Sequence, residues 1–362
     1  MAAGNRILLV VRGLDPVGTG RQVELAAAAL AAAGHDVSVA ITSTGGTLAD
    51  RLARTGRPVH RVGRRPVADL AATARLAGLA RRLRPAAILG FGRSQVAPVA
   101  VAGRVVSGCR AVGWLAIEPR GYALRQAIRR LDAVVATSPR VAAACGAAGV
   151  AAARISVVPP GSAADHEAGV DRLELAARLG LDPARHWTLC VAPLEPAARL
   201  TRLLWAIDQL GVVRKDLQHV LVGAGPLLHQ IRCRARAQEL AERLFIAPDC
   251  APIQALLGEV KLVWQSGDVA LGGAILDGMA RGVPAVAVES DAVGQLIADG
   301  QTGRIVPAVP ESEFPRRAFG ILEDELLASR LGAAAAARAA TKFSAARFVA
   351  GLFDAMRLGD CP

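Results

Sequence analysis

Residues 262–307 read LVWQSGDVALGGAILDGMARGVPAVAVESDAVGQLIADGQTGRIVP, and several residue types there suit an anionic ligand. Gly272 and Gly273 stand ahead of a run in which Ile275, Leu276 and Met279 recur at helical spacing. A glycine-rich turn feeding a helix presents unpaired backbone N–H groups and the positive end of the helix dipole, and both attract a phosphate. Ser266, Gly267 and Asp268 break the apolar run before that pair, and Asp277 falls near the helix start. Two further loops follow apolar runs in the same half of the chain. Residues 194–199 end in Arg199, and Gly223-Ala224-Gly225-Pro226 follows the run at 219–222. Ligands of open α/β sheets collect at the carboxyl ends of the strands, so these loops converge on one ligand carrying phosphates. Other readings stay open for single residues. A solvated arginine accounts for Arg199 equally, and an acid in a first helical turn gains from the dipole without any ligand.

The elements that must position these residues alternate strand and helix along the chain. Residues 6–11 (RILLVV), 35–41, 56–62, 86–90, 109–115, 131–137 and 154–158 read as strands, with helices predicted at 47–54, 69–83 and 141–149, a helix after the first loop, and a basic helical turn at 125–130. A polar, glycine-bearing stretch at 162–171 reads as a linker. Beyond it, strands are predicted at 187–192, 219–222, 244–247 and 284–288, with helices at 173–179, 200–210, 227–243 and 253–257. Gly282 and Pro284 stop the helix after the glycine pair. Helices at 315–322, 323–343 and 344–356 close the chain. The opening βαβ with a glycine-bearing first turn is Rossmann-like. Gly18-Thr19-Gly20 is followed by Arg-Gln-Val, so it lacks the GxGxxG spacing of a dinucleotide site.

Composition bounds the function. A chain of 362 residues, 52% hydrophobic, holds two ordinary domains with ample core. Aromatics are only 3% and Tyr122 is the sole tyrosine, which argues against a stacking platform for nucleic acid. The formal net charge is +12, carried almost entirely by arginines dispersed along helices. Dispersed arginines read as solvated cations, and contact with an anionic membrane face stays open beside that reading. Cysteines 109, 145, 190, 233, 250 and 361 show no CxxC and no histidine at metal-ligand spacing, as expected of free thiols in a reducing compartment. No signal peptide and no uncharged run of membrane-spanning length is apparent. The expected location is cytoplasmic, at most peripheral at the inner membrane face, with no cofactor and no metal.

The order Ser266, Gly272, Asp277-Gly278-Met279-Ala280-Arg281-Gly282-Val283-Pro284 and Asp299-Gly300-Gln301-Thr302-Gly303 resembles the donor half of family 4 glycosyltransferases. Gly223 to Pro226 is similar to that family's G-x-G-P turn, and the stretch at 154–161 resembles the segment closing its first domain. The resemblance implies an α/β protein of the GT-B fold, two Rossmann-like domains facing across a cleft. Its domains would be residues 1–163 on the acceptor side, 172–342 for the nucleotide sugar, and a helix at 343–362 crossing back to the first. The implied activity is transfer of a sugar from a nucleotide-diphosphate sugar to a glycan or lipid-linked acceptor, retaining and metal-independent. Gly223, Gly225, Arg199, Ser266, Asp268, Gly272, Gly273 and Asp277 would bind the donor, Asp277 through ribose hydroxyls, with Gly18 and Gly20 on the acceptor side; Arg93 or Gln95 could face the cleft there, though neither matches the family's residue. The chain departs from the pattern at Val17, Gly20 and Pro160, at Asp277 as a shortened acid, and most consequentially at four further places. Pro193 and Ala198 stand where the family has an arginine and a lysine, Val269 where it has the first of two acids, and residues 90–95 (GFGRSQ) lack its histidine. Those departures leave room for a catalytically silent GT-B binding protein, and a sugar-nucleotide epimerase is a third reading.

Overall fold

The computed structural model describes residues 5–14, 18–43, 48–64, 70–162, 171–248 and 252–357. It divides into two compact units, residues 1–161 with 344–362, and residues 162–343. Each is built around one parallel sheet.

The first unit runs β1 (Arg6–Val11), α1 (Thr19–Ala32), β2 (Asp36–Ile41), α2 (Leu48–Arg54), β3 (Val59–Arg61), α3 (Leu70–Leu83), β4 (Ala87–Phe91), α4 (Val96–Arg104), β5 (Arg110–Leu115), α5 (Tyr122–Ile128), β6 (Ala133–Ala136), α6 (Pro139–Ala147) and β7 (Ile155–Val157). Its seven strands lie in the order β3-β2-β1-β4-β5-β6-β7, all parallel. The second unit holds α7 (Arg172–Leu179), β8 (His186–Val191), α8 (Leu200–Val213), β9 (Leu217–Val222), α9 (Leu228–Ala237), β10 (Leu244–Ala247), α10 (Ile253–Glu259), β11 (Val260–Gln265), α11 (Ile275–Ala280), β12 (Ala285–Val288), α12 (Asp291–Leu296), β13 (Arg304–Val306), α13 (Glu313–Glu323) and α14 (Glu325–Lys342). Its six strands, also parallel, lie in the order β10-β9-β8-β11-β12-β13. The last helix, α15 (Ala345–Met356), belongs to the first unit, where Arg110 Nε donates to Ala355 O at 2.7 Å.

Continuous apolar runs make these strands because both sheet faces are covered by helices. Ile7 to Val10 are fully buried, as are Ala285 to Ala287. Burying each larger aliphatic side chain contributes about 1.5–3 kcal/mol. Helix starts follow their caps: Ser138 Oγ accepts from Val141 N with Pro139 at the first helical position, and Asp324 Oδ1 accepts from Leu327 N at 2.8 Å. In each sheet the strand order reverses once, between β1 and β4 and between β8 and β11. Chains leaving those two strands diverge to opposite faces and open a crevice at their carboxyl ends.

Several elements differ from the sequence reading. No helix is predicted between residues 95 and 109, yet α4 occupies that stretch. Pro98 is its third residue, within the first turn, where a missing N–H breaks no helical bond. Helix α9 ends at Ala237 instead of 243, because Glu239 takes a left-handed φ of 55° and fully buried Leu240 turns the chain toward β10. Strand β3 keeps only three of the seven residues expected. Most of the expected linker, residues 163–170, lies outside the described residues.

Candidate functional site

The crevice of the six-stranded sheet opens where β8 ends at Val191 and β11 ends at Gln265. Gly273 lies directly over it. A Cβ there would stand 2.5 Å from Val191 O and 2.7 Å from Gln265 Oε1, so only glycine fits. Leu271, Gly272 and Gly273 have successive φ values of 57°, 71° and 60°, a left-handed run that two glycines tolerate at little cost. Helix α11 begins two residues later, at Ile275, and is six residues long. This corrects the expectation of a helix dipole aimed from Gly272 and Gly273. With so short a helix and a non-helical run before it, any anion here would be held by the backbone of the turn. Asp277, in the first turn of α11, is 5% exposed and engaged within the fold.

Neighbouring loops are bonded to one another. Leu194 N donates to Ala224 O at 2.9 Å and Leu227 N to Leu194 O at 3.0 Å, joining the loop after β8 to the turn after β9. Gly223 and Gly225 sit where this joint is tightest. A Cβ at Gly223 would collide with Ala192 O, and one at Gly225 would lie 2.6 Å from Leu194 O. The loop after β11 is clamped to a short turn at 196–198: Ser266 Oγ donates to Ala198 O at 2.8 Å and Asp268 N to Ala197 O at 3.0 Å. Ser266 is fully buried. Its hydroxyl hydrogen is committed to the loop, so its part is to hold the turn and not to donate to a ligand. Arg199 leaves that turn with φ 50°, and its side chain, that of Asp268 and that of Glu195 at the start of the turn are exposed charges. Val269, at the position of the family's first acid, is 4% exposed and packs in the core with Leu194, Leu200 and Leu204.

Two residues of this region carry no signal in the sequence reading. Gln265 is 1% exposed, and its Nε2 has no hydrogen-bond partner among the described residues. Arg202, on α8, is 9% exposed and donates to Ser266 O at 3.2 Å and to Ala308 O at 3.0 Å. Its partners lie 64 and 106 positions away, beyond the reach of any local pattern.

In the first unit, Gly18 (φ 62°) precedes α1 and buried Gly20 lies in its first turn, beside the β1–β4 reversal. Arg93, after β4, is exposed. Gln95 is buried and accepts from Thr42 Oγ1 at 3.0 Å, so it serves the loop. Glu118 pairs with Arg140 at 2.7 Å and Arg120 at 3.4 Å, and the hydrogen bond from Arg140 lowers its pKa.

A cavity of 1040 Å³ in the second unit lies elsewhere. It opens at the amino ends of β8, β11 and β12, lined by His186, Lys261, Arg281, Gly282 and Pro284 together with the start of α14. Among the described residues there is no cluster of three His, Cys, Asp or Glu side chains placed to hold a metal, and no helix long and apolar enough to cross a membrane.

Two family models match in succession: Glycosyltransferase Family 4 over residues 16–165 and Glycosyl transferases group 1 over residues 171–338. Among curated relatives, the chain is 30% identical over 184 residues to the alpha-D-kanosaminyltransferase of Streptomyces kanamyceticus. It is 30% identical over 137 residues to the phosphatidyl-myo-inositol mannosyltransferase of Mycolicibacterium smegmatis. The first match takes in 50% of this chain and 47% of that protein, the second 37% and 35%, so the chain spans less than half the length of either. Among solved structures, Anabaena Alr3699/HepE in complex with UDP-glucose superposes with a TM-score of 0.79 at 18% identity, over 98% of this chain and 99% of that one. The sucrose-phosphate synthase of Thermosynechococcus elongatus gives 0.76 at 17%, over 98% of both chains. At such identities the likeness is one of fold.

Proposed function

The chain belongs to the family 4 glycosyltransferases, with the GT-B fold, and on that premise we propose that it moves a sugar from a nucleotide-diphosphate sugar to a cell-envelope or polysaccharide acceptor. In this reading the reaction is metal-independent and retains configuration at the sugar. The observation that carries it is the position of Gly273, at the carboxyl-end crevice between β8 and β11. The loops after β8, β9 and β11 are bonded around that crevice. The backbone of 271–273 receives the diphosphate, Arg199 adds charge from solvent, and Asp277 accepts from the ribose hydroxyls. Stabilising the leaving diphosphate is the main task of such a site, since negative charge builds there as the glycosidic bond breaks. The acceptor is met by the loops of the first unit, through Gly18, Gly20 and Arg93. Exposed Ile117 and Tyr122 beside Arg120 and Arg125 suit an acceptor presented at an anionic membrane face of the cytoplasm.

A second reading has its own observation. Val269 is a core residue where the family has an acid, and Pro193 and Ala198 replace its two cations. These changes favour a chain that binds the nucleotide sugar without transferring it. Melting the protein with UDP, GDP, ADP and dTDP and their glucose and mannose derivatives separates the readings. An enzyme is stabilised by one nucleotide and slowly hydrolyses its sugar. A silent protein is stabilised and hydrolyses nothing. Absence of any shift would rule out both.

A further inference from the structure

Arg202 presents a physical problem that the proposed chemistry resolves. It lies in the first turn of α8 and is 9% exposed. Its Nη1 donates to Ser266 O at 3.2 Å, and its Nη2 to Ala308 O at 3.0 Å. Glu311 accepts from its Nη2 at 3.4 Å from the surface, with its own side chain 53% exposed. Nε is buried with no partner among the described residues. A desolvated guanidinium with an orphaned N–H and a counter-charge that is itself half in solvent is costly to keep. An apolar side chain of the same length would fill the space without that cost.

Its place in the fold supplies a reason. The guanidinium joins three segments that border the crevice: the start of α8 just after Arg199, the carbonyl of Ser266 at the end of β11, and the chain beyond β13 at Ala308. Those same segments hold the exposed charges Arg199 and Asp268, with the exposed acid Glu195 in the loop just before Arg199. The positions at which the family pattern carries cations are Pro193, exposed, and Ala198, fully buried, here. We propose that Arg202 is a positioning residue of the nucleotide-sugar site, one that also supplies from beneath the loops part of the positive field for the diphosphate. The inference rests on the donor reading given above. Charge placed in the interior is screened less than charge in solvent, so it acts on a phosphate without touching it. Its hydrogen bond to Ser266 O polarises the Ser266–Gly267 peptide in the same sense. Glu311 opposes it and trims the field.

A test follows from that opposition. Affinities for UDP, GDP, ADP and dTDP and the matching monophosphates are measured by calorimetry for the wild type, Arg202→Met, Arg202→Lys and Glu311→Gln, with thermal melts as a check on folding. Arg202→Met is expected to weaken the preferred diphosphate roughly tenfold while changing its monophosphate little, and Arg202→Lys to recover most of the loss. Glu311→Gln is expected to tighten the diphosphate about twofold, the gain fading as salt is raised. A purely structural clamp predicts instead that Glu311→Gln and Arg202→Met both weaken binding, and that mono- and diphosphate fall together; either result overturns the proposal, as does an unchanged diphosphate affinity in Arg202→Met. If Arg202→Met does not fold, the sign of the Glu311→Gln effect decides, since that side chain is largely in solvent. A wild type that binds none of the four diphosphates removes the donor reading itself, a result distinct from any of these.

Discussion

The six-stranded sheet has two ends of opposite character. At the carboxyl end, backbone groups of three loops bond one another around Gly223, Gly225, Gly267 and Gly273, and the buried cation Arg202 ties the chain together from below. At the amino end a 1040 Å³ cavity is bordered by surface ion pairs, with Arg214 between Asp216 at 2.7 Å and Glu323 at 2.6 Å. That cavity is at the end a parallel sheet does not use for its ligand. The difference teaches that the presence of a cavity is by itself a poor guide to the ligand end of the sheet. What marks the carboxyl end is that its close backbone contacts join the loops after β8, β9 and β11 in the crevice where the strand order reverses, whereas the equally close contact of Gly332 with Gly282 O at the amino end joins α14 to the end of α11.

The sharpest way to break this contrast is to add one methyl group at the closed end. Gly223→Ala drives a Cβ into Ala192 O, a backbone atom that has no rotamer to escape through. Separating the β8 and β9 loops to make room is expected to cost about 3 kcal/mol or more and to abolish nucleotide binding. Urea unfolding and calorimetry read the two effects; a variant of native stability that still bound nucleotide would show the joint to be looser than its geometry.

Asp277→Ala comes next. Loss of a carboxylate that accepts from ribose hydroxyls is expected to weaken nucleotide binding by about 1.5–3 kcal/mol with the fold retained. Equal affinity in wild type and variant would remove Asp277 from the donor site.

How much of this was legible beforehand divides along the same line. The parallel strands are continuous apolar runs, so β1, β8 and β12 and the order of elements could be read directly, and with them the fold. The glycines at 223, 225, 272 and 273 were legible as turns, but their purpose, close approach to Ala192, Leu194, Val191 and Gln265, depends on chain far away in sequence. Ser266 was legible as a site residue while its hydroxyl bond to Ala198 was not. Arg202 looked like any other solvated arginine in a chain full of them, because burial of a charge is decided by tertiary neighbours. Helix α4 was missed because a proline reads as a helix breaker unless its place in the first turn is known.

Between the two ends sits His219, in the middle of β9. Its Nδ1 is 2.7 Å from Thr188 Oγ1 and its ring lies 5.2 Å from that of Trp264. Burial, with a smaller contribution from the Arg243 charge, pushes its pKa down to about 3. The folded state therefore holds His219 neutral while the unfolded chain protonates it below its ordinary value of 6.5. Stability from this group is complete above that value and is lost as pH falls toward 3, at up to about 1.4 kcal/mol per pH unit. Urea unfolding between pH 7 and 5 is expected to show this slope in the wild type and a flatter one in His219→Gln. Equal slopes would mean that the ring is protonated without unfolding the sheet.

The smallest effects are expected at the open end, and they test the contrast from its other side. Gly258 lines the cavity in α10, and a Cβ there meets nothing within 4 Å. Gly258→Ala relieves the backbone freedom of a helical glycine and is expected to raise stability by up to about 1 kcal/mol, opposite in sign to Gly223→Ala. Lys261→Ala removes an exposed cation from the same cavity, and nucleotide affinity is expected to stay within about twofold of the wild type, because its charge is screened by solvent and by the thickness of the sheet. If Lys261→Ala weakened diphosphate binding as much as Asp277→Ala, the nucleotide would be entering the large cavity. The polarity of the parallel sheet would then have pointed to the wrong end, since Lys261 stands at the amino end of β11.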